Sequence, residues 1–252
     1  MLALVTGASA GFGYSISKKL IELGYNVIGC GRRAEKLEEL KQELGEKFYP
    51  LVFDMKDTVE NINKVLVDLP AEFQIGQIDL LVNNAGLALG LEPADKAELD
   101  DWYTMIDTNV KGLVTITRLI LPSMVKKKSG LIINMGSIAG TYPYPGGNVY
   151  GATKAFVEQF SLNLRADLAG TGVRVTNIEP GLCGGTEFSL VRFKGDENKV
   201  NSLYDKKNPL LPEDIANTVA WIASQPPHIN INRIEMMPTT QSFNPLKVVE
   251  VE

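Results

Sequence analysis

The sequence predicts an α/β protein: one doubly wound domain with a seven-stranded parallel sheet flanked by helices. Three observations carry this. Apolar runs of strand length alternate with helix-period stretches along the whole chain, as successive βαβ units do. The first run, residues 2–6, passes directly into a glycine-rich turn and then a helix pattern. The length of 252 residues, with ordinary apolar and charged fractions, suits one large soluble α/β domain or two small ones.

The first strand ends in Gly7-Ala-Ser-Ala-Gly-Phe-Gly13, after which Ile16, Leu20 and Leu23 recur at helix spacing up to Gly24. A strand, a glycine turn and a helix start form a phosphate cradle. Glycine permits the tight turn and a close ligand, and the free N–H groups of the helix start face a pyrophosphate. Gly7, Ser9, Gly11, Phe12 and Gly13 are therefore cofactor candidates, although their spacing departs from the commoner G-x-G-x-x-G. Residues 26–31 form the second strand. An NAD-binding unit would place an acid near its end to hold the ribose hydroxyls. Here Arg32-Arg33 stands there, and the first acid is Glu35. A carboxylate repels a 2′-phosphate whereas guanidinium groups suit it, so NADP(H) is expected, with Ser9 as an extra donor. The alternative is that Arg32 and Arg33 merely start the next helix, residues 36–44.

The third strand, residues 47–53, delivers Asp54 and the Met55 backbone to the ligand rim as candidates for the adenine; Asp54 equally suits a cap for the helix at 59–69. The fourth strand, 78–82, runs into Asn83-Asn84-Ala85-Gly86. Short amides can hold a strand end open, and small Ala85 and Gly86 admit a ligand; Asn83, Ala85 and Gly86 are taken as cofactor contacts. Residues 99–125 read as one long helix with Asn109 and Gly112 in its middle. The fifth strand, 130–135, brings Gly136 and Ser137 to the rim. A loop at 142–147 precedes a helix opening near Asn148 and ending near 169. The sixth strand, 173–178, leads into Glu179-Pro180-Gly181. Residues 183–208 are polar and weakly periodic, and read as a mobile lid. A helix from Pro212 to about 224 and a seventh strand at 231–237 complete the order 3-2-1-4-5-6-7. The tail, 241–252, is expected to pack on a partner subunit.

Tyr150-Gly-Ala-Thr-Lys154 carries the chemistry. Positions i and i+4 share one helix face, and a cation beside a phenol lowers its pKa from about 10. A phenol tuned in this way can exchange a proton with an alcohol or carbonyl oxygen.

Other classes are disfavoured. The net charge is −5 with no basic stripe, which argues against nucleic acid. Cys30 and Cys183 have neither metal-ligand nor disulfide spacing, so no metal is expected and a reducing compartment fits. The single histidine, His228, has no Gly-x-Ser-x-Gly elbow to serve. No apolar run reaches about 18 residues, and a strand follows Met1 at once; no membrane span and a cytoplasmic location are expected.

Gly7-x3-Gly11-x-Gly13, Asn83-Asn-Ala-Gly86, Asn109, Ser137, Tyr150-x3-Lys154 and Pro180-Gly181, in this order, resemble the short-chain dehydrogenase/reductase family across nearly the whole chain. Leu81 to Gly90, Gly146 to Ala155, Gly184-Gly-Thr-Glu-Phe188, Val191-Arg-Phe-Lys-Gly195 and Glu235-Met-Met-Pro238 resemble its NADP-dependent 3-hydroxy acid dehydrogenases, with malonic semialdehyde reductases and serine or allo-threonine dehydrogenases among them. Cys183 departs from an expected Val. The resemblance implies a Rossmann fold and a homotetramer. It makes Tyr150 the general acid or base and Ser137 a donor to the substrate oxygen. Lys154 lowers the Tyr150 pKa and holds the nicotinamide ribose. Asn109 holds a water beside Lys154, or else is a structural amide. Pro180, Gly181, Cys183 and Thr186 face the nicotinamide. On the substrate side stand Ser137, Asn148 and Arg192, the last as a lid cation for a carboxylate. Two alternatives stay open: a reductase of another ketone, sugar or acyl substrate, and a non-catalytic NADPH-binding protein.

Overall fold

The computed structural model describes residues 1–243. Seven parallel strands form one sheet in the order β3-β2-β1-β4-β5-β6-β7. They are β1 (Leu2–Thr6), β2 (Asn26–Gly31), β3 (Phe48–Val52), β4 (Ile78–Asn83), β5 (Gly130–Met135), β6 (Val173–Pro180) and β7 (Arg233–Met236). The crossover helices are α1 (Gly11–Glu22), α2 (Ala34–Leu44), α3 (Val59–Val67), α4 (Leu99–Ile106), α5 (Leu113–Lys127) and α6 (Asn148–Asp167). Two short helices, α7 (Phe188–Arg192) and α8 (Glu197–Tyr204), precede α9 (Pro212–Ser224). This is the doubly wound Rossmann arrangement expected, with the expected order.

Strand alternation divides the core in two. Leu2, Leu4, Ile28, Leu81 and Ile132 pack on one face with Ile62, Leu66, Ile116 and Ile120. Ala3, Val5, Val27, Leu80 and Ile133 pack on the other with Ile16, Leu20, Leu37, Ile215 and Val219. Side chains two apart share a face, so near-continuous apolar strands feed both layers. Among the described residues no helix is long and apolar enough to cross a membrane.

Three elements differ from expectation. The run at 99–125 is continuous but changes pitch: Asp107–Gly112 is a π-helical turn between α4 and α5, with Asn109 buried inside it. Such turns recur at functional sites. Residues 183–208 are not wholly irregular. They hold α7 and α8, divided by positive φ at Lys194 and Gly195, and Asp196 caps α8 by accepting from Lys199 N at 3.1 Å. Helices of five and eight residues are too short to print a period. β7 starts late because the Asn230 side chain replaces its first ladder contacts, bonding both Val175 N and Val175 O.

Candidate active site

The strands' C-terminal ends open onto a cavity of about 320 Å³. Gly7, Ser9, Gly11 and Phe12 line it from the first turn, Arg32 and Arg33 from the end of β2, and Asp54 and Met55 from beyond β3. Asn84, Ala85 and Gly86 complete that wall. Gly7 adopts φ +69°, and a Cβ there would press on Ala85 Cα at 3.0 Å. Gly13 is not on the wall. A Cβ at Gly13 would overlap the Gly7 carbonyl, so this glycine lets α1 pack against its own turn. The α1 N-terminus has neither an acid in its first turn nor a side-chain cap. Its N–H groups and the two arginines suit a phosphorylated dinucleotide. Arg32 lies 3.7 Å from Asp54 and is largely exposed, leaving donors free. Asp54 shapes its own turn by accepting from Lys56 N; Thr58, not Asp54, caps α3.

Asn83 departs from expectation. It continues the Leu81 face of β4 into the core, donating to Thr117 Oγ1 at 2.9 Å and Asn134 Oδ1 at 2.8 Å, and it lines neither cavity. Its neighbour Asn84 takes the wall, with Nδ2 donating to Thr6 O at 2.9 Å. Thr6 Oγ1 accepts from both Asn84 N and Ala85 N at 3.0 Å, which ties the two turns together. Counting by twos from Leu81 distinguishes the two amides.

A second cavity, of about 280 Å³, adjoins the first, and Tyr150, Phe12, Gly136, Thr186 and Phe188 line both. Ser137, Tyr144, Pro180, Gly181, Cys183, Arg192 and Tyr204 add to its wall. Among its described lining residues Arg192 alone carries a formal charge. Arg192 Nη2 donates to Tyr144 Oη at 2.8 Å and Nε donates to Gly90 O at 3.2 Å. Its guanidinium carbon sits 5.5 Å from the ring centres of both Tyr144 and Tyr150.

Tyr150 and Lys154 share one face of α6 as the spacing requires, and both are buried. Burial pushes the Tyr150 phenol well above its usual pKa, while a Ser137 hydrogen bond and the Arg192 charge pull it down. Lys154 is not among those influences. Its Nζ donates to Met135 O at 2.8 Å, lies 5.8 Å from the Tyr150 ring centre, and is lowered to about 8 by burial. Asn109 spends its amide on protein: Oδ1 accepts from Leu87 N at 2.9 Å, and Nδ2 donates to Leu87 O and Thr153 Oγ1. These bonds staple the π turn to the β4 exit and to α6.

Asn148 is a second departure. It lines neither cavity; Oδ1 accepts from Val149 N and Nδ2 donates to Glu92 O. Residues not foreseen are Gln241, whose Oε1 accepts from Leu182 N at 2.7 Å, and Phe243, 4.9 Å from the Tyr142 ring. Both line the second cavity, as does Met237. Residues 241–243 therefore fold back on their own chain; the rest of the tail lies outside the described residues. Burial pushes the Cys183 thiol up to about 12, which opposes the thiolate. Glu179 is wholly buried and pairs with Arg233 at 2.6 Å, a strand-end role; His228 is exposed.

A glycine cradle beside a Ser-Tyr-Lys wall, on a doubly wound sheet, defines a dinucleotide-dependent dehydrogenase site. The chain belongs to the short-chain dehydrogenase family, whose model matches residues 1–195. It is 65% identical to a probable NADP-dependent dehydrogenase of Haemophilus influenzae, over 98% of this chain and 96% of that one. It is 58% identical to an NADP-dependent 3-hydroxy acid dehydrogenase of Escherichia coli K12, over 98% and 99%. Among solved structures, the closed form of a serine dehydrogenase complexed with NADP+ superposes with a TM-score of 0.97, at 58% identity and with full coverage of both chains.

Proposed function

We propose that the protein is an NADP-dependent oxidoreductase that interconverts small 3-hydroxy acids and their 3-oxo forms. Malonic semialdehyde with 3-hydroxypropionate, serine and allo-threonine are the leading substrates. One observation carries the substrate class: the single charge among the described residues of the second cavity is a guanidinium, and it stands over Tyr150. A carboxylate seated on Arg192 keeps the far end of a three-carbon acid within reach of the phenol. The similarity to a 3-hydroxy acid dehydrogenase and to serine dehydrogenase supports the same class.

Gly7, Gly11 and the α1 N-terminus would hold the coenzyme's pyrophosphate. Arg32, Arg33 and Ser9 would hold its 2′-phosphate, Asp54 and Met55 would meet the adenine, and Thr186, Pro180 and Gly181 would flank the nicotinamide. Bound NADP(H) supplies or accepts the hydride. Tyr150 gives its proton to the substrate oxygen as negative charge develops there, and takes it back in oxidation. Ser137 donates to the same oxygen. The Lys154 ammonium holds the ribose and adds positive charge behind the phenol. Residues 183–208 act as a lid. Two unpaired thiols suit a reducing, cytoplasmic setting. Exposed Leu99, Tyr103, Ile106, Phe156 and Leu162 suit subunit contacts of a homotetramer, which a monomer in light scattering would refute.

The test is oxidation of NADPH with malonic semialdehyde, run beside NADH and a neutral ketone. Selective turnover with NADPH and the acid supports the reading. Turnover with the ketone alone keeps the chemistry and removes the hydroxy-acid assignment.

A further inference from the structure

Segment 183–208 meets the coenzyme side of the sheet at adjacent residues. Thr186 sits over the glycine turn, where a Cβ on Gly11 would lie 3.2 Å from the Thr186 side chain. One residue on, Glu187 Oε2 accepts from Arg33 Nη1 at 2.8 Å. Arg33 Nη2 donates to Ser9 Oγ at 3.2 Å. Arg33, Ser9 and Glu187 all line the first cavity. A bridge thus runs from the glycine turn through the end of β2 to the roof, joining residues 154 apart in sequence.

A carboxylate is an unexpected neighbour in a cavity built for phosphate, because two anions repel unless a cation stands between them. Arg33 is that cation. Its planar fork carries five donors, and the bonds to Glu187 and Ser9 leave others for a second anion. Arg32 is turned toward Asp54 instead, so the two arginines are not equivalent.

We infer that Glu187 is a positioning residue: it shares Arg33 with the coenzyme's 2′-phosphate and so fastens the roof over a phosphorylated coenzyme. The inference rests on the NADP reading of the first cavity. Both side chains are about half exposed (46% and 51%), so the pair adds little to the fold, and its effect belongs to coenzyme release. A phosphate on the same guanidinium completes a charge triad anion–cation–anion whose outer member is attached to the roof. Breaking the outer contact lets the roof lift sooner. Entry speeds up as well, so the affinity changes less than the rate.

The experiment measures NADPH release by stopped-flow fluorescence during displacement, in wild type, Glu187→Gln, Arg33→Ala and the double variant. Glu187→Gln is expected to release NADPH about two- to fivefold faster, with an unchanged melting temperature. The acceleration is expected to fade in about 1 M salt. In the Arg33→Ala background the same substitution is expected to add nothing, which a double-mutant cycle reads directly. Wild-type release from Glu187→Gln, or an equal acceleration without Arg33, would overturn the clasp. Wild type that binds NADH as tightly as NADPH would instead remove the coenzyme assignment beneath it, and equilibrium titration separates that outcome from the first.

Discussion

The two cavities meet at Tyr150 but are made differently. The first is largely backbone and strand ends: a contiguous glycine turn, the start of α1, and Arg32, Arg33 and Asp54 beyond β2 and β3. The second is side chains, mostly aromatic and aliphatic, gathered from Phe12 through Phe243, with Arg192 as its charge among the described residues. A dinucleotide is recognised by features any such sheet edge offers, namely a helix N-terminus and free strand ends. A small acid must be recognised by groups placed singly. On the proposed reading, substrate choice resides in α7, α8 and residues 237–243; α8 and residues 237–243 stand clear of the first cavity, whereas Phe188 and Val191 of α7 also line it.

The largest test of that division is Tyr150→Phe, at the junction. Loss of the phenol is expected to lower turnover by about 10²–10⁴, the usual share of a positioned acid or base. NADPH binding by fluorescence titration should persist, because the cradle is untouched. Substantial remaining turnover would refute the role of Tyr150; loss of binding with loss of turnover would merge the two sites. Next is Arg192→Ala. A charge-assisted bond is worth about 1.5–3 kcal/mol, so KM for a 3-hydroxy acid should rise by roughly ten- to a hundredfold, while KM for a neutral ketone barely changes; kcat falls for both, because the guanidinium no longer pulls the Tyr150 phenol down. An equal rise in KM for the ketone would make Arg192 a packing residue for Tyr144 and Tyr150. An unchanged KM for the acid would end its proposed role.

The same contrast explains what the sequence discloses. The fold, the strand order and the glycine turn are legible because apolar periodicity and contiguous motifs are local signals. Ser137, Tyr150 and Lys154 are legible by type and spacing. Which way Lys154 Nζ points is not, since the Met135 carbonyl that receives it comes from β5, 19 residues away. Asn83 and Asn84 are adjacent and chemically alike; strand parity alone sends one into the core and the other to the wall. Asn148 and Gln241 show the same limit. Each is an exposed-looking polar residue, and backbone contacts at Glu92 and Leu182, far off in sequence, decide which one reaches the site.

On the coenzyme side, Arg32→Glu sharpens the comparison by a smaller amount. Arg32 is 61% exposed, so its contribution is screened, and about a tenfold weakening of NADPH binding is expected. NADH binding should change much less, because it lacks the 2′-phosphate that the new carboxylate repels. Equal losses for both coenzymes would show that Arg32 only starts α2 and would leave the phosphate to Arg33 and Ser9.

The smallest expected effect concerns Cys183, which lines the second cavity. A free thiol near pH 8.5 is a few per cent thiolate at neutrality and reacts with alkylating reagents. Burial pushes Cys183 up to about 12, with Asp214 adding to the shift. At pH 7 the thiolate is then about one part in 10⁵, and it grows tenfold for each unit of alkalinity. Iodoacetamide at pH 7 should leave the activity intact, and inactivation should accelerate steadily as pH rises toward 10. Cys183→Val, which keeps a small apolar side chain, should leave kcat and KM within about twofold. Rapid inactivation at neutral pH, abolished by that substitution, would show the thiol to be ionised. The second cavity would then hold a second reactive group, and its apparent dependence on Arg192 for charge would be incomplete.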